Sequence, residues 1–558
     1  MRKLNADVVV VGGGSTGTGV VRDAAMRGYR AILVERADLA QGTSGRFHGL
    51  LHSGGRYVVA DPLSAAECAA ENAVISRIQP AAVERTGGLF IVGPGDDPDF
   101  GDVFLAGAKA AQVPAEEISP GAALRLEPRL DPKLRRAFQV LDGTVDGWQL
   151  VWSAAASARL WGGQILTYTE IVEIIRGSEG VRGVRAVDRK TGEAIEIECG
   201  FLINCAGPWA GRVATLAGVR PVEVVPGRGV MVAMAHRLVN RVVNRCAKPA
   251  DGDILVPVHT VCVIGTTDVK VADPDNLAIP RAEVRQMLEA GEALIPGFQQ
   301  ARALHAWAGA RPLVKDDRVD DSDTRHMSRG MAVIDHAARD GVAGLVTVGG
   351  GKLTTYRLMA QHAVDAMENQ TGRRHPCRTA DEICPGQTPG RNYLVSCRLQ
   401  EREADRLDDQ IICECELVSR RALLGLWDEF PQASLDDLRR QSRLGMGPCQ
   451  GGFCSARAAG LACATGKADG AQATGLLRDF LANRWLGLAP VLYGDQVRQT
   501  ALDYWIFQGA LDVDHLPAAP NRPAEPPAAE DQGSPPTRRQ ASLACSAGPA
   551  VAGEGVSL

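Results

Sequence analysis

The sequence predicts an α/β fold: a helix-flanked parallel sheet joined to an antiparallel sheet, followed by a small helical module that carries cysteines. Three observations support this. Residues 7–11 are a short, almost wholly apolar run leading into Gly12, Gly14 and Gly17 and then a helical stretch. The same strand–glycine–helix order returns at 344–357. Between the two lie short apolar runs at 230–234, 254–258 and 261–265, which read as antiparallel strands.

Continuous apolarity at 7–11 is expected of a strand buried on both faces. Gly12 permits a tight turn, Gly14 admits a close backbone approach to a pyrophosphate, and Gly17 lets the helix pack on the strand. The helix, predicted over 20–26 with Gly28 as its stop, turns free N–H groups and its positive dipole end toward that pyrophosphate. Residues 31–34 are a second strand, closed by Glu35. An acid about 20 residues past the glycines accepts from a ribose hydroxyl. Together these make a Rossmann-like dinucleotide-binding unit.

A chain of 558 residues exceeds one hydrophobic core, so two or three domains are expected. Its 45% hydrophobic and 23% charged residues are ordinary for a soluble protein. A net charge of −5 argues against nucleic acid or an anionic membrane surface as partner. No apolar run approaches the roughly 18–20 residues of a membrane span. Arg2 and Lys3 precede an apolar run, but it is too short for a signal peptide and enters the glycine turn directly. The expectation is a cytoplasmic chain whose 14 cysteines are thiols or metal ligands rather than disulfides.

The stretch 41–57, rich in Gly, Ser, His and Arg, reads as a loop wrapping a cofactor. Helices are expected over 61–78 and 104–111, with a strand at 87–92 between them. Residues 142–147 are turn-rich. A helix over 148–161, a strand over 164–168 and a hairpin over 181–198 follow. A buried strand at 201–204 ends in Cys205-Ala206-Gly207 before a helix over 209–216, and another helix at 282–295 lies beside the antiparallel runs. The late strand at 344–348 enters Gly349-Gly350-Gly351-Lys352-Leu353-Thr354. A nicotinamide domain of about 150 residues does not need this return, whereas a flavoprotein brings a late strand and helix N-terminus beneath its flavin. FAD is therefore the expected cofactor.

Residues 1–387 are assigned to an FAD-dependent oxidoreductase region with an interleaved substrate domain. Residues 388–410, polar and patternless, are a linker, and 411–466 are the cysteine module. Residues 467–515 are a helical extension whose Trp485, Tyr493, Tyr504, Trp505 and Phe507 are expected in its core. The Pro-, Ala-, Gly- and Ser-rich tail, 516–558, is expected to be disordered.

Cys413 and Cys415 form a C-x-C pair, and Cys449 and Cys454 a C-x4-C pair. Four thiolates suit zinc or an iron–sulfur cluster. Neither pair has the C-x2-C spacing of a zinc ribbon. Glycine-rich turns around the second pair offer backbone N–H groups to sulfur. A [2Fe–2S] cluster is the favoured reading, with zinc or no metal as alternatives.

The motifs GGGSTGTG, GTSGRFHGLLHSGGRY, DGTVDG, NCAGPW, DILVP, IGTTD, GARPLV, GGGKLTTYRLMA and CEC…GMGPCQGGFC resemble those of the FAD-dependent glycerol-3-phosphate dehydrogenases. The likeness, from residue 6 to about 509, is greatest to the A subunit of the anaerobic enzymes, which carries a C-terminal domain like bacterioferritin-associated ferredoxin (BFD) with a [2Fe–2S] cluster. It implies a fold like the D-amino-acid-oxidase flavoproteins, with an antiparallel sheet capping the flavin. It places His52 at the flavin, Arg56 and Tyr57 at the substrate, and Arg311 and Lys352 on the substrate phosphate. A phosphate near −2 suits paired donors from Arg and a point charge from Lys. The expected FAD contacts are Gly12, Gly14, Gly17, Glu35, Arg36, Thr43, Ser44, His52, Gly207, Gly350, Gly351, Leu353 and Thr354.

Two departures stand out. Arg228-Gly229-Val230-Met231 occupies the place of a K-G-S-H run in some aerobic relatives, and Arg46, Phe47 and His48 replace their Ser-Thr-Lys. The implied activity is oxidation of sn-glycerol 3-phosphate to dihydroxyacetone phosphate, with His52 as base or proton carrier. Electrons are expected to pass through the [2Fe–2S] centre to two partners, one a second flavin subunit, the other a membrane-anchoring iron–sulfur subunit, and then to quinone. The chain would then sit peripherally on the inner face of the cell membrane. Two other readings stay open: another FAD-dependent dehydrogenase, acting on an amine, an amino acid or a different polyol phosphate, and a non-catalytic electron-transfer subunit.

Overall fold

Val8–Val11 lies inside a six-stranded sheet, paired in parallel with Ala31–Val34 on one side and Phe201–Asn204 on the other. The computed structural model describes residues 1–314, 330–390, 393–404 and 409–519. Gln164–Leu166 extends one edge of the sheet; Leu345–Gly350 and then the antiparallel Met331–Asp335 extend the other. Every residue of these three strands is buried, in keeping with a sequence that is apolar throughout except for Asn204. Helices Ser15–Met26, Gly147–Leu160 and Tyr356–Thr371 cover one face through Val20, Leu150 and Met359. A four-stranded sheet containing the predicted hairpin, Val181–Asp188 and Ala194–Glu198, covers the other through Val184 and Ile197. The first helix begins at Ser15, ahead of residue 20, because its first turn of small and glycine residues carries no hydrophobic period.

The antiparallel runs fold as Val224–Met234, Ile254–Val258 and Val261–Gly265 within a nine-stranded sheet. Val224–Met234 also pairs with Ala303–Val314, which sets Gly227 opposite Arg311. Helix Arg281–Glu292 packs on this sheet through Val284 and Met287.

Two local expectations are corrected. Residues 142–147 read as turn because Gly and Asp are strand breakers, yet Gly143–Val145 is a strand pairing with Leu50–Leu51 and with Val83–Glu84. Residues 388–410 hold a helix, Val395–Ala404, none of whose described side chains is buried; its polarity concealed it.

In the C-terminal region, Ile411–Cys413 pairs with Val418–Ser419. Helices Arg420–Glu429, Leu435–Ser442, Cys454–Ala464 and Gly470–Leu488 follow. One hydrophobic core, including Leu423, Trp427, Leu438, Ala458, Phe480 and Phe507, serves both 411–466 and 467–515. Of the five aromatics expected in this core, only Phe507 is buried, while Trp485, Tyr493, Tyr504 and Trp505 are exposed. Residue type signals a helix there but not which of its faces packs. The tail expected to be disordered falls mainly on 520–558, outside the described residues.

Candidate active site

A cleft of about 770 Å³ opens at the glycine turn that follows Val8–Val11. Its walls bring together stretches far apart in sequence: Gly12 and Gly14, Glu35 and Arg36, the 41–48 loop, His52 and Tyr57, Ala206 to Trp209, Arg311 to Leu313, and Gly350 to Thr354. Gly12 turns at φ +108°, and a methyl group there would meet the Cys205 carbonyl oxygen at 2.6 Å. Gly17 lies behind the lining: its methyl would fall 1.8 Å from the Gly12 oxygen. Gly207, at φ +56°, borders open space.

The Glu35 carboxylate accepts from the backbone N–H of Gly13 at 2.6 Å and of Ala37 at 2.8 Å, so it fixes the glycine turn while bordering the cleft. Burial raises its pKa, opposed by those two hydrogen bonds. Ser44 Oγ accepts from Ser15 N at 2.9 Å, docking the loop onto the helix N-terminus. Thr43 Oγ1 donates to Ala310 O at 2.6 Å, tying the same loop to the antiparallel sheet. Arg36 pairs with Asp275 at 2.8 Å and lies over the Trp209 ring.

At the other end, the His52 and Tyr57 rings lie 5.2 Å apart, and Lys352 Nζ sits 4.9 Å from the Tyr57 ring centroid. His52 N donates to Thr354 Oγ1 at 3.2 Å, joining the early loop to the late glycine turn. Arg311 donates to Asp268 at 2.9 Å, to the Thr267 carbonyl at 3.1 Å and to Thr266 Oγ1. Arg56 is the exception. It pairs with buried Asp253 at 2.6 Å and does not line the cleft.

Several residues that hold this arrangement were assigned no role from the sequence, although Asp142, Ser53, Arg357 and His48 lie within the motifs that carry the resemblance. Asp142 Oδ1 accepts from both Ser53 N and Ser53 Oγ at 2.8 Å, and its Oδ2 accepts from Asn244 at 3.1 Å, which fixes the loop carrying His52. Buried Glu71 pairs with Arg357 in the helix after the late glycine turn. His48 also lines the cleft. Its Nδ1 accepts from Leu50 N at 3.1 Å, and burial, with Arg311 and Arg56 nearby, pushes its pKa down to about 3. The ring is therefore neutral. Its place in the 41–57 loop and among the departures from aerobic relatives is the signal the sequence offers for it. Arg228, the first of those departures, is committed to Glu283 and the Ala278 carbonyl.

Among the described residues, no three or more His, Cys, Asp or Glu side chains are grouped as around a single metal ion. The four cysteines lie near enough to shift one another's pKa: Cys413 and Cys449 are lowered, and Cys415 and Cys454 raised, with another of the four as the largest cause in each case. The backbone around Gly445 and Glu416 helps to lower the Cys413 pKa, and that around Gly451 and Phe453 the Cys449 pKa. Gly447 packs so closely that a methyl there would lie 2.1 Å from the Cys415 Cβ. Arg443 links this module to the oxidoreductase region, donating to Glu416 and Asp146 at 3.0 Å each.

The glycine turn, the acid after the second strand and the capped cleft define a dinucleotide-binding oxidoreductase. Residues 7–365 match the family described as FAD dependent oxidoreductase. The A subunit of the anaerobic glycerol-3-phosphate dehydrogenase of Escherichia coli K12 is 41% identical over 531 residues, covering 91% of this chain and 97% of that protein. The A1 subunit of the Haloferax volcanii enzyme is 38% identical, covering 93% and 92%. The FAD-complexed glycerol-3-phosphate dehydrogenase of Bacillus halodurans shares the fold at 20% identity, with a TM-score of 0.55 over 91% of this chain and 95% of that one. The chain belongs to the FAD-dependent oxidoreductases and, within them, to the family formed by the A subunits of anaerobic glycerol-3-phosphate dehydrogenase.

Proposed function

We propose that this chain oxidises sn-glycerol 3-phosphate to dihydroxyacetone phosphate. One observation carries the reading: a single cleft is lined by the dinucleotide turn and also by His52, Tyr57, Arg311 and Lys352. Relatives named for this reaction match nearly the whole chain. FAD, when bound, supplies the acceptor for the hydride that leaves C2. Gly12 and Gly14, the helix N-terminus at Ser15 and the bordering Glu35 fit its pyrophosphate and ribose. Arg311 and Lys352 hold the substrate phosphate, Arg by a planar fork of donors and Lys by a point charge. His52 takes the proton from the C2 hydroxyl, so the substrate loses one hydride and one proton. Tyr57 orients the substrate beside Lys352. Arg56 acts through position, its ion pair with Asp253 fixing the turn that presents Tyr57.

Cys413, Cys415, Cys449 and Cys454 fit a [2Fe–2S] cluster, which when bound supplies a one-electron carrier. Support comes from the four thiols shifting one another's pKa and from the glycine-rich backbone around them, which lowers Cys413 and Cys449. Residues 1–387 are then the oxidoreductase region and 388–410 the connection, with 411–466 the cluster module, extended by 467–515. Relatives named as one lettered component of an enzyme support a complex with other chains. In it, this chain works with a second flavin subunit, while a membrane-anchoring iron–sulfur subunit passes electrons to quinone. Among the described residues no helix is long and apolar enough to cross a membrane, in keeping with attachment to its inner face through partners.

Substrate profiling with an artificial acceptor tests the activity. Turnover of sn-glycerol 3-phosphate but not of glycerol or amino acids is expected; equal rates on glycerol would overturn the phosphate assignment. Cys415→Ser tests the module. It should keep FAD and substrate reduction of the flavin while losing the cluster's electron paramagnetic resonance signal; stoichiometric zinc without iron in anaerobically purified protein would refute the cluster.

A further inference from the structure

A second cavity, of about 350 Å³, lies where the cysteine module meets the oxidoreductase region. It shares Gln41, Arg46, Phe47 and His48 with the cleft, but its far wall comes from residues 436–487, none of which lines the cleft. Four guanidiniums stand on that wall: Arg439, Arg440, Arg443 and Arg484. Arg440 is paired with Asp38 and Asp437, and Arg443 with Glu416 and Asp146. The other two are poorly matched. Arg439 donates from Nε to Asp436 at 2.8 Å, but its Nη1 meets Met446 Sδ at 3.6 Å. Arg484 is 4% exposed and has no carboxylate partner among the described residues. Its Nη2 donates to Gln450 Oε1, its Nη1 lies 3.9 Å from the same Met446 Sδ, and its Nε has no acceptor.

Buried Arg484 and half-buried Arg439 thus converge on a thioether, among the weakest acceptors a side chain offers. A buried guanidinium without a counter-ion is costly, and an anion among such donors removes that cost. Burial, with Arg439 beside it, pushes the Arg484 pKa down to about 9, a measure of how ill-served this cation is. His305 Nδ1, in the same lining, is also buried without a partner. Trp148, Trp307 and Ile279 give the lining an apolar part, while Gln41, Asp146, Asp436 and Asn483 add polar groups, Asp146 and Asp436 being held in ion pairs with Arg443 and Arg439.

We propose that this cavity is a second anion site, in which Arg439 and Arg484 take the phosphate of a small molecule and the Met446 sulfur gives way. Guanidinium forks match the oxygens of a phosphate, and methionine is flexible enough to move aside. A volume near the lower end of ligand cavities, roughly 300–1,000 Å³, excludes a dinucleotide and admits a phosphate with a short carbon body. Because Arg484 also holds Gln450, the neighbour of Cys449, an occupant would bear on the wall of the cysteine cluster. The phosphate could come from inorganic phosphate or from the ester turned over in the cleft.

Calorimetric titration of the FAD-loaded full-length protein distinguishes these. Inorganic phosphate is one probe and dihydroxyacetone phosphate, which cannot reduce the flavin, the other. Wild type should bind two equivalents of at least one probe, one in the cleft and one here. Binding of the second by both probes supports recognition of phosphate alone; binding by the ester alone supports a site selective for it. Arg484→Gln and Arg439→Gln should each weaken the second equivalent at least ten-fold while leaving the KM for sn-glycerol 3-phosphate unchanged. A single equivalent in wild type overturns the proposal, as does an unaltered second equivalent in both variants. If a variant fails to retain FAD, the wild-type count decides. The count does not depend on turnover, so its failure leaves the proposed oxidation standing.

Discussion

Gly17→Ala is the sharpest test of how this fold holds its cofactor. Gly17 lies in the first turn of Ser15–Met26, against the Gly12 carbonyl. The added methyl would sit 1.8 Å from that oxygen, where contacts under 3.0 Å are essentially never seen. Turn and helix must therefore separate by about 1.2 Å, the difference between those two distances. Overpacking by a single methylene costs about 1–3 kcal/mol. The displaced segment carries Gly14 and the helix N-terminus, so this strain opposes FAD directly. Its equivalent in affinity is a rise of about 5- to 150-fold in Kd. The assay is titration of deflavinated protein with FAD, followed by quenching of flavin fluorescence. Gly200→Ala is the control, because a methyl there meets nothing within 4 Å, and its Kd should stay within about two-fold of wild type. A Gly17→Ala variant that binds FAD as tightly as wild type would refute the close-packing argument.

Lys352→Ala and Arg311→Ala should each cost about 2–5 kcal/mol in kcat/KM for sn-glycerol 3-phosphate, with little effect on any residual rate with glycerol; losses equal on both substrates would contradict a phosphate role. Glu71→Ala should destabilise the FAD-saturated protein by about 3–5 kcal/mol, because it leaves Arg357 buried without its counter-charge; urea unfolding showing a loss below about 1 kcal/mol would contradict this. His48 gives a pH dependence. The unfolded imidazole takes up a proton below about 6.5, whereas the folded one stays neutral down to about 3. The unfolded state thus binds more protons across that window, and stability falls as pH drops through it. His48→Gln should flatten this part of the unfolding profile, and an unchanged slope between pH 6.5 and 4 would exclude His48 as its source.

What the sequence made legible follows from local physics. Val8–Val11 and Ala31–Val34 are covered on both faces and read as unbroken apolar runs; Phe201–Asn204 and Leu345–Gly350 are equally covered and read as apolar apart from Asn204 and Thr347, whose side chains bond each other. Polar edge strands such as Ala115–Ile118 carry no such run and escaped notice. Ala303–Val314 is interrupted by His305 and Arg311 because one of its faces lines cavities. Motifs proposed roles for the residues that line the cleft, whereas no role was proposed for the residues that support them. Glu71 and Arg357, or Ser53, Asp142 and Asn244, lie far apart in the chain and meet only after folding. Arg56 and Tyr57 are adjacent in sequence and were expected to share a role. The turn Gly55–Tyr57 sends one to Asp253 and the other to the cleft, a divergence that spacing does not reveal. The exposed Trp485, Tyr504 and Trp505 show the same limit for helices, where composition signals an element but not the face it buries.

The central claim is that one cleft joins FAD to a phosphorylated alcohol. Anaerobic mixing of the FAD-loaded protein with sn-glycerol 3-phosphate, with flavin absorbance followed in time, tests it most directly. Stoichiometric bleaching of the flavin band with formation of dihydroxyacetone phosphate is expected, and no bleaching with glycerol at the same concentration. A flavin that stays oxidised with sn-glycerol 3-phosphate, or that bleaches equally with glycerol, would contradict it.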